Sequence, residues 1–106
     1  MELGLRDQTV LITGGSKGIG LAIAQSFAAE GARPILVSRE RANLDAAVAQ
    51  IRAAHGIEAQ AVAADLAAPG ACERLAQEVG EVDILVNNAG AIPGGSLHDI
   101  DEARWR

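Results

Sequence analysis

The chain is 106 residues long, 49% hydrophobic and 22% charged, with nine Lys and Arg against fourteen Asp and Glu and a formal net charge of −5. That length supports one domain at most, able to bury roughly 65% of its unfolded surface, and the composition argues against disorder. An acidic balance with scattered basic residues offers no footprint for nucleic acid or an anionic membrane, and no apolar run approaches the length of a membrane span.

In chain order, Met1-Glu2-Leu3-Gly4 lacks the pattern of a signal peptide, so a cytoplasmic protein is expected. A short apolar strand is predicted over residues 9–13, followed by the glycine-rich segment Thr13-Gly14-Gly15-Ser16-Lys17-Gly18-Ile19-Gly20. A helix then runs from about Gly18 to Glu30, with Ala24, Phe27 and Ala28 on one face and Gly31 placed as its cap. The second strand is expected over residues 34–38. A second helix from about Arg41 to His55 carries Leu44, Ala47, Val48 and Ile51 at i, i+3, i+4, i+7 and ends at Gly56.

Residues 59–64 form the third predicted strand. The third helix opens at Pro69, a residue favoured in a first helical turn, and ends at Gly80. Cys72, Leu75, Ala76 and Val79 share its apolar face, so Cys72 reads as a packed, inert thiol. As the only cysteine it forms no internal disulfide, which agrees with a reducing compartment. The fourth strand covers residues 82–87 and leads into the aperiodic, glycine-rich stretch from Asn88 to Ser96. A further helix begins near Asp99 to Asp101, and the chain ends at Trp105-Arg106 after its first turn or two, so a truncated protein is expected. Neither His55 nor His98 has partners at metal-ligand spacing, and Asp99, Asp101 and Glu102 suit a helix N-terminus, so no metal site is expected.

Strands alternating with helices imply a parallel α/β sheet with right-handed crossovers. A glycine-rich turn between the first strand and helix lets backbone approach a ligand without Cβ interference. The helix behind it aims unpaired N–H groups and its positive dipole end at the same point. Diphosphate is the ligand this favours; a tight corner with no ligand is the alternative. The spacing of Gly14, Gly18 and Gly20 is G-x-x-x-G-x-G, which departs from the general G-x-G-x-x-G fingerprint but meets the same physical needs.

The glycine segment, then Asp65-Leu66, then Asp83-Ile84-Leu85-Val86-Asn87-Asn88-Ala89-Gly90, resembles the short-chain dehydrogenase/reductase family in content, order and spacing. The resemblance spans the whole chain but only the first part of a family member. It implies a Rossmann-like three-layer fold, cut after about four strands in the order 3-2-1-4, with residues 1–106 as an incomplete NAD(P)-binding domain. Cofactor contacts are then expected from Gly14, Ser16, Lys17, Gly18, Ile19 and Gly20 in the turn. Asp65 and Leu66 belong beside the adenine, and Asn87, Ala89 and Gly90 line the cofactor channel. Asp65 also reads as a cap on its own loop, and Asn87 as a sheet support, with Thr13 hydrogen bonding across.

Dinucleotide choice should be decided after the second strand, where an NAD site carries a carboxylate for the ribose 2′-hydroxyl. Here the text reads Val37-Ser38-Arg39-Glu40-Arg41. Arg39 offers a planar cation for a 2′-phosphate, Ser38 a hydroxyl and Lys17 a second cation. NADP(H) is therefore expected, with NAD(H) possible; surface cations and a Glu40 facing the ribose are the competing reading. The family uses a Tyr in a Tyr-x-x-x-Lys motif for proton transfer, and these 106 residues contain no Tyr. No catalytic residue is carried over, and the segment alone is expected to be inactive.

The resemblance thus implies the cofactor-binding half of an NADP-dependent oxidoreductase acting on a small carbonyl or alcohol substrate. A complete member would be a homo-oligomer. A non-catalytic dinucleotide-binding module, an inactive truncated product, or a Rossmann-like domain for another ligand such as a methyl donor are the alternatives. With the order 3-2-1-4, the fourth strand would expose an open edge, so the segment is expected to associate.

Overall fold

A computed structural model of the protein describes residues 6–14, 16 and 18–88. The expected Lys17, Ala89 and Gly90 contacts, the loop and helix after Asn88, His98 and Trp105 lie outside those residues. The elements run β1 (Thr9–Thr13), α1 (Gly18–Ala29), β2 (Arg33–Ser38), α2 (Arg41–His55), β3 (Gln60–Ala63), α3 (Ala71–Val79) and β4 (Ile84–Asn87). All pairings are parallel, and the sheet order is β3-β2-β1-β4, as the resemblance implies.

Alternation along the strands sorts side chains into two layers. Val10, Ile12 and Leu36 face α1 and α2, where Ala24, Ala28, Leu44, Ala47 and Ile51 bury them. Leu11, Ile35, Val37 and Val62 face the other way, against Cys72 and Leu75 of α3 and the loop residue Val82. Central strands covered on both faces read as unbroken apolar runs, which is why β1 and β2 were so plain in the sequence. The helix face predicted from Leu44, Ala47 and Ile51 is the buried one. Replacing Ile51 with Val, which removes one fully buried methylene, should lower stability by about 1 kcal/mol in urea unfolding.

Helix α1 ends at Ala29 and β2 starts at Arg33, each one residue from expectation, and α3, β4 and β3 differ for identifiable reasons. Helix α3 starts at Ala71, not Pro69, because Gly70 takes a left-handed conformation at the N-cap and the Ala71 N–H closes a turn on the Ala68 carbonyl. Pro69 therefore shapes the turn ahead of the helix. Strand β4 begins at Ile84, not Val82, because the Asp83 carboxylate takes the Thr9 N–H at 2.8 Å where a strand would offer a carbonyl. Strand β3 is trimmed to Gln60–Ala63, next to a loop that Arg52 and Glu58 brace. Their hydrogen bonds, reinforced by charge, hold the Glu58 carboxyl below its usual range and raise Arg52.

Candidate functional site

Parallel strands place all their C-terminal ends on one rim, and the crevice lies where successive crossovers leave in opposite directions. Here that point falls between β1 and β4, since β2 and β3 extend the sheet on the other side of β1. The glycine turn, the end of β2 and the exit from β4 all meet this rim.

The turn leaves β1 at Gly14, whose φ of +67° suits glycine and whose N–H still donates to the Val37 carbonyl at 2.8 Å. Ser16 is buried, 6% exposed, and Gly18 opens α1 with φ +61°. Ile19 in the first turn is 72% exposed, the one large hydrophobic side chain so open among the described residues. Gly20 is held differently. A Cβ there would overlap the Gly14 carbonyl oxygen and stand 2.8 Å from the Asn88 amide nitrogen. The missing side chain is what lets α1 approach the turn, so the helix N-terminus lies against the backbone it serves. Such an arrangement offers N–H groups and a positive dipole end to a phosphate-sized anion.

The far wall is the exit from β4. Thr13 is fully buried, and its hydroxyl accepts the Asn88 N–H at 2.9 Å. Its own hydrogen has two acceptors in range, Asn87 Oδ1 at 3.1 Å and the Val86 carbonyl at 3.5 Å, and the shorter contact decides in favour of Asn87. Of the two readings of Asn87, the sheet support therefore has a geometric basis here, and the hydrogen bond from Thr13 is the one expected. Substituting Thr13 with Val keeps shape but leaves the Asn88 N–H without its acceptor. The expected cost is on the order of 2 kcal/mol, read from thermal or urea unfolding.

Asn88 lies in the segment expected to line the cofactor channel, although no contact was assigned to it, and its Nδ2 reaches the Gly14 carbonyl at 3.3 Å. A carbonyl only accepts, so the facing atom must be the amide nitrogen. The signal was available: in the order 3-2-1-4, a polar amide just past β4 falls beside the first residues after β1.

At the end of β2, Ser38 is half-buried and its Oγ accepts the Glu40 N–H at 3.4 Å, while Arg39 is exposed on the rim. Arg41 is drawn away toward Asp45, 3.7 Å distant along α2. Asp65 acts as a loop cap, its Oδ1 accepting the Ala67 N–H at 3.0 Å and its carbonyl the Ala68 N–H. Leu66 is turned toward the second core cluster. Asp65 also borders a cleft of about 310 Å³ between β3 and α3, lined by Ala64, Ala68, Arg74 and Glu78, which is separate from the glycine turn.

Elsewhere, His55 Nε2 meets Gln25 Oε1 at 2.8 Å and ties α2 to α1, and Cys72 is buried as expected. Among the described residues, no group of three or more His, Cys, Asp or Glu could hold a metal ion, and no helix is long and apolar enough to cross a membrane.

Comparison with known proteins bears on the whole arrangement. The sequence-family model for short chain dehydrogenase matches residues 8–106. An uncharacterised oxidoreductase of Mycobacterium tuberculosis is 48% identical over 97 residues, covering 88% of this chain and 36% of the relative. Human L-xylulose reductase is 48% identical over 89 residues, covering 84% of this chain and 34% of that enzyme. Among solved structures, the L-sorbose reductase of Gluconobacter frateurii, complexed with NADPH and L-sorbose, superposes with a TM-score of 0.80 at 41% identity. The match covers 86% of this chain and 36% of that one. The chain thus spans well under half the length of the relatives it matches, and it belongs to the short-chain dehydrogenase/reductase family.

Proposed function

We propose that residues 1–106 are the cofactor-binding part of a cytoplasmic, NADP-dependent oxidoreductase that interconverts a small-molecule carbonyl and its alcohol. The observation that carries this reading is the contact between Gly20 and the Gly14 carbonyl, which no residue with a Cβ could make. That cradle, at the crossover point of a parallel sheet, fits a diphosphate flanked by the helix N-terminus. The family's NADPH-bound relatives support the same ligand.

In this reading Gly14, Ser16, Lys17, Gly18, Ile19 and Gly20 embrace the diphosphate, and Arg39 with Ser38 and Lys17 meets the ribose 2′-phosphate. Asp65 and Leu66 flank the adenine, and Asn87, Ala89 and Gly90 line the channel toward the nicotinamide. The bound dinucleotide supplies hydride chemistry. The chain's own groups in this segment bind and orient, since the family's proton-transferring Tyr-x-x-x-Lys is not among the 106 residues. Losing a positioned acid or base costs roughly 10²- to 10⁴-fold, so the segment by itself binds cofactor without appreciable turnover. A complete member is homo-oligomeric, and the segment alone associates through the edge of β4.

Titration with NADPH and NADH, followed by nicotinamide fluorescence, tests the assignment. NADPH should bind at least about tenfold more tightly, the margin a charge-assisted pair at the 2′-phosphate provides. Failure to bind either dinucleotide, or tighter binding of NADH, would overturn it.

A further inference from the structure

We propose that the free edge of β3 is an interface with a second copy of this chain, the two sheets joining edge to edge about a two-fold axis at Val62. Strand β3 ends the sheet, since the order is β3-β2-β1-β4. The Ala64 N–H donates to the Ser38 carbonyl while Ser38 stands opposite Ala63, so the even-numbered residues of β3 bond to β2 and the odd-numbered ones turn their backbone outward. The N–H and C=O groups of Ala61 and Ala63 therefore form an edge that pairs with no other strand among the described residues. Gln60, Ala61, Val62 and Ala63 carry neither the proline nor the charge that commonly guards such an edge, and the alanines leave the backbone open to close approach.

A second copy of this edge fits the first in one register. Antiparallel pairing about Val62 sets Ala61 opposite the partner's Ala63 and Ala63 opposite the partner's Ala61, and each pair exchanges both of its N–H···O bonds. Charge on α3 favours the same arrangement. Val62 packs with Leu75, so the axis lies at the level of the middle of α3. Arg74 and Glu78 stand on either side of that level, and both line the cleft of about 310 Å³ between β3 and α3. Both are exposed, they form no ion pair with each other, and the polar contact of Arg74 is a 3.5 Å approach to the Pro69 carbonyl. A two-fold at Val62 runs the two α3 helices antiparallel along the seam. It brings Arg74 toward the partner's Glu78 and Glu78 toward the partner's Arg74, the self-complementary pattern of an isologous interface.

Sedimentation velocity over a dilution series reads the association directly, for the natural protein and for Ala63→Pro, Arg74→Glu, Glu78→Arg and the double variant Arg74→Glu/Glu78→Arg. Proline at 63 deletes an outward N–H and leaves the ladder to β2 in place. Each charge reversal is at an exposed position and sets like charges against each other twice across the axis, so each single change should weaken self-association at least about tenfold. The double variant exchanges the two charges and should return to the natural value. Association through the edge of β4 would be indifferent to all four variants. A natural protein that stays monomeric throughout the series would overturn the inference. So would an association that Ala63→Pro or the single reversals leave unchanged, or a double variant that fails to recover.

Discussion

Gly20→Ala should abolish measurable dinucleotide binding, a loss of at least about 100-fold, and lower stability by roughly 3 kcal/mol. The added methyl meets the Gly14 carbonyl oxygen, which is backbone and already held by Asn88, so neither side can yield without moving α1 or the turn. Gly18→Ala is the informative control. Its φ of +61° makes alanine strained, at about 1–2 kcal/mol, but no described atom lies within 4 Å of the new methyl. Urea unfolding of both variants, with NADPH titration alongside, separates close approach from backbone strain. Equal destabilisation by the two would remove close approach as the reason for glycine at position 20.

Arg39→Glu should weaken NADPH binding by about 100-fold while changing NADH binding less than about threefold. Arg39 stands exposed on the rim one residue past β2, and the neighbouring Arg41 is committed to Asp45, so position 39 is where the described structure offers a cation to a 2′-phosphate. Reversal sets a carboxylate against that phosphate. A carboxylate in the same place can accept from a ribose 2′-hydroxyl, so NADH keeps its affinity while NADPH loses its own. Isothermal titration with both cofactors reads the ratio directly, and equal losses would sink the assignment of Arg39.

How far these expectations were legible depends on how much local sequence decides. Strand β1 and helix α2 fall on their predicted bounds, because a doubly buried strand and a helix with a clean i, i+3, i+4, i+7 face leave the pattern little freedom. Pro69 misled, since Pro suits both a first helical turn and the turn ahead of one, and only the left-handed Gly70 decides between them. The 3-2-1-4 order came from resemblance and is borne out by the pairing of β1 with both β2 and β4. What the text hid were the contacts that cross the sheet. The hydrogen bond from the Thr9 N–H to the Asp83 carboxylate, the Thr13 hydroxyl at Asn87 and the Asn88 amide at Gly14 each join residues more than seventy apart, beyond the reach of periodicity or spacing.

Those same distances impose an order on how the protein comes into being. Strand β1 finds β2 soon after it is made, Thr9 meeting Arg33, whereas its other ladder begins with Val10 against Ile84. At roughly 5–20 residues per second of synthesis, the glycine turn emerges several seconds ahead of the amide that fastens it. Throughout that interval β1 carries a bare flank of N–H and C=O groups, a template for pairing with a neighbouring nascent chain. A ribosome that stalls between α3 and Asn88 would therefore release a polypeptide whose central strand is made but whose nucleotide cradle is unfastened, and such a product belongs to the chaperones.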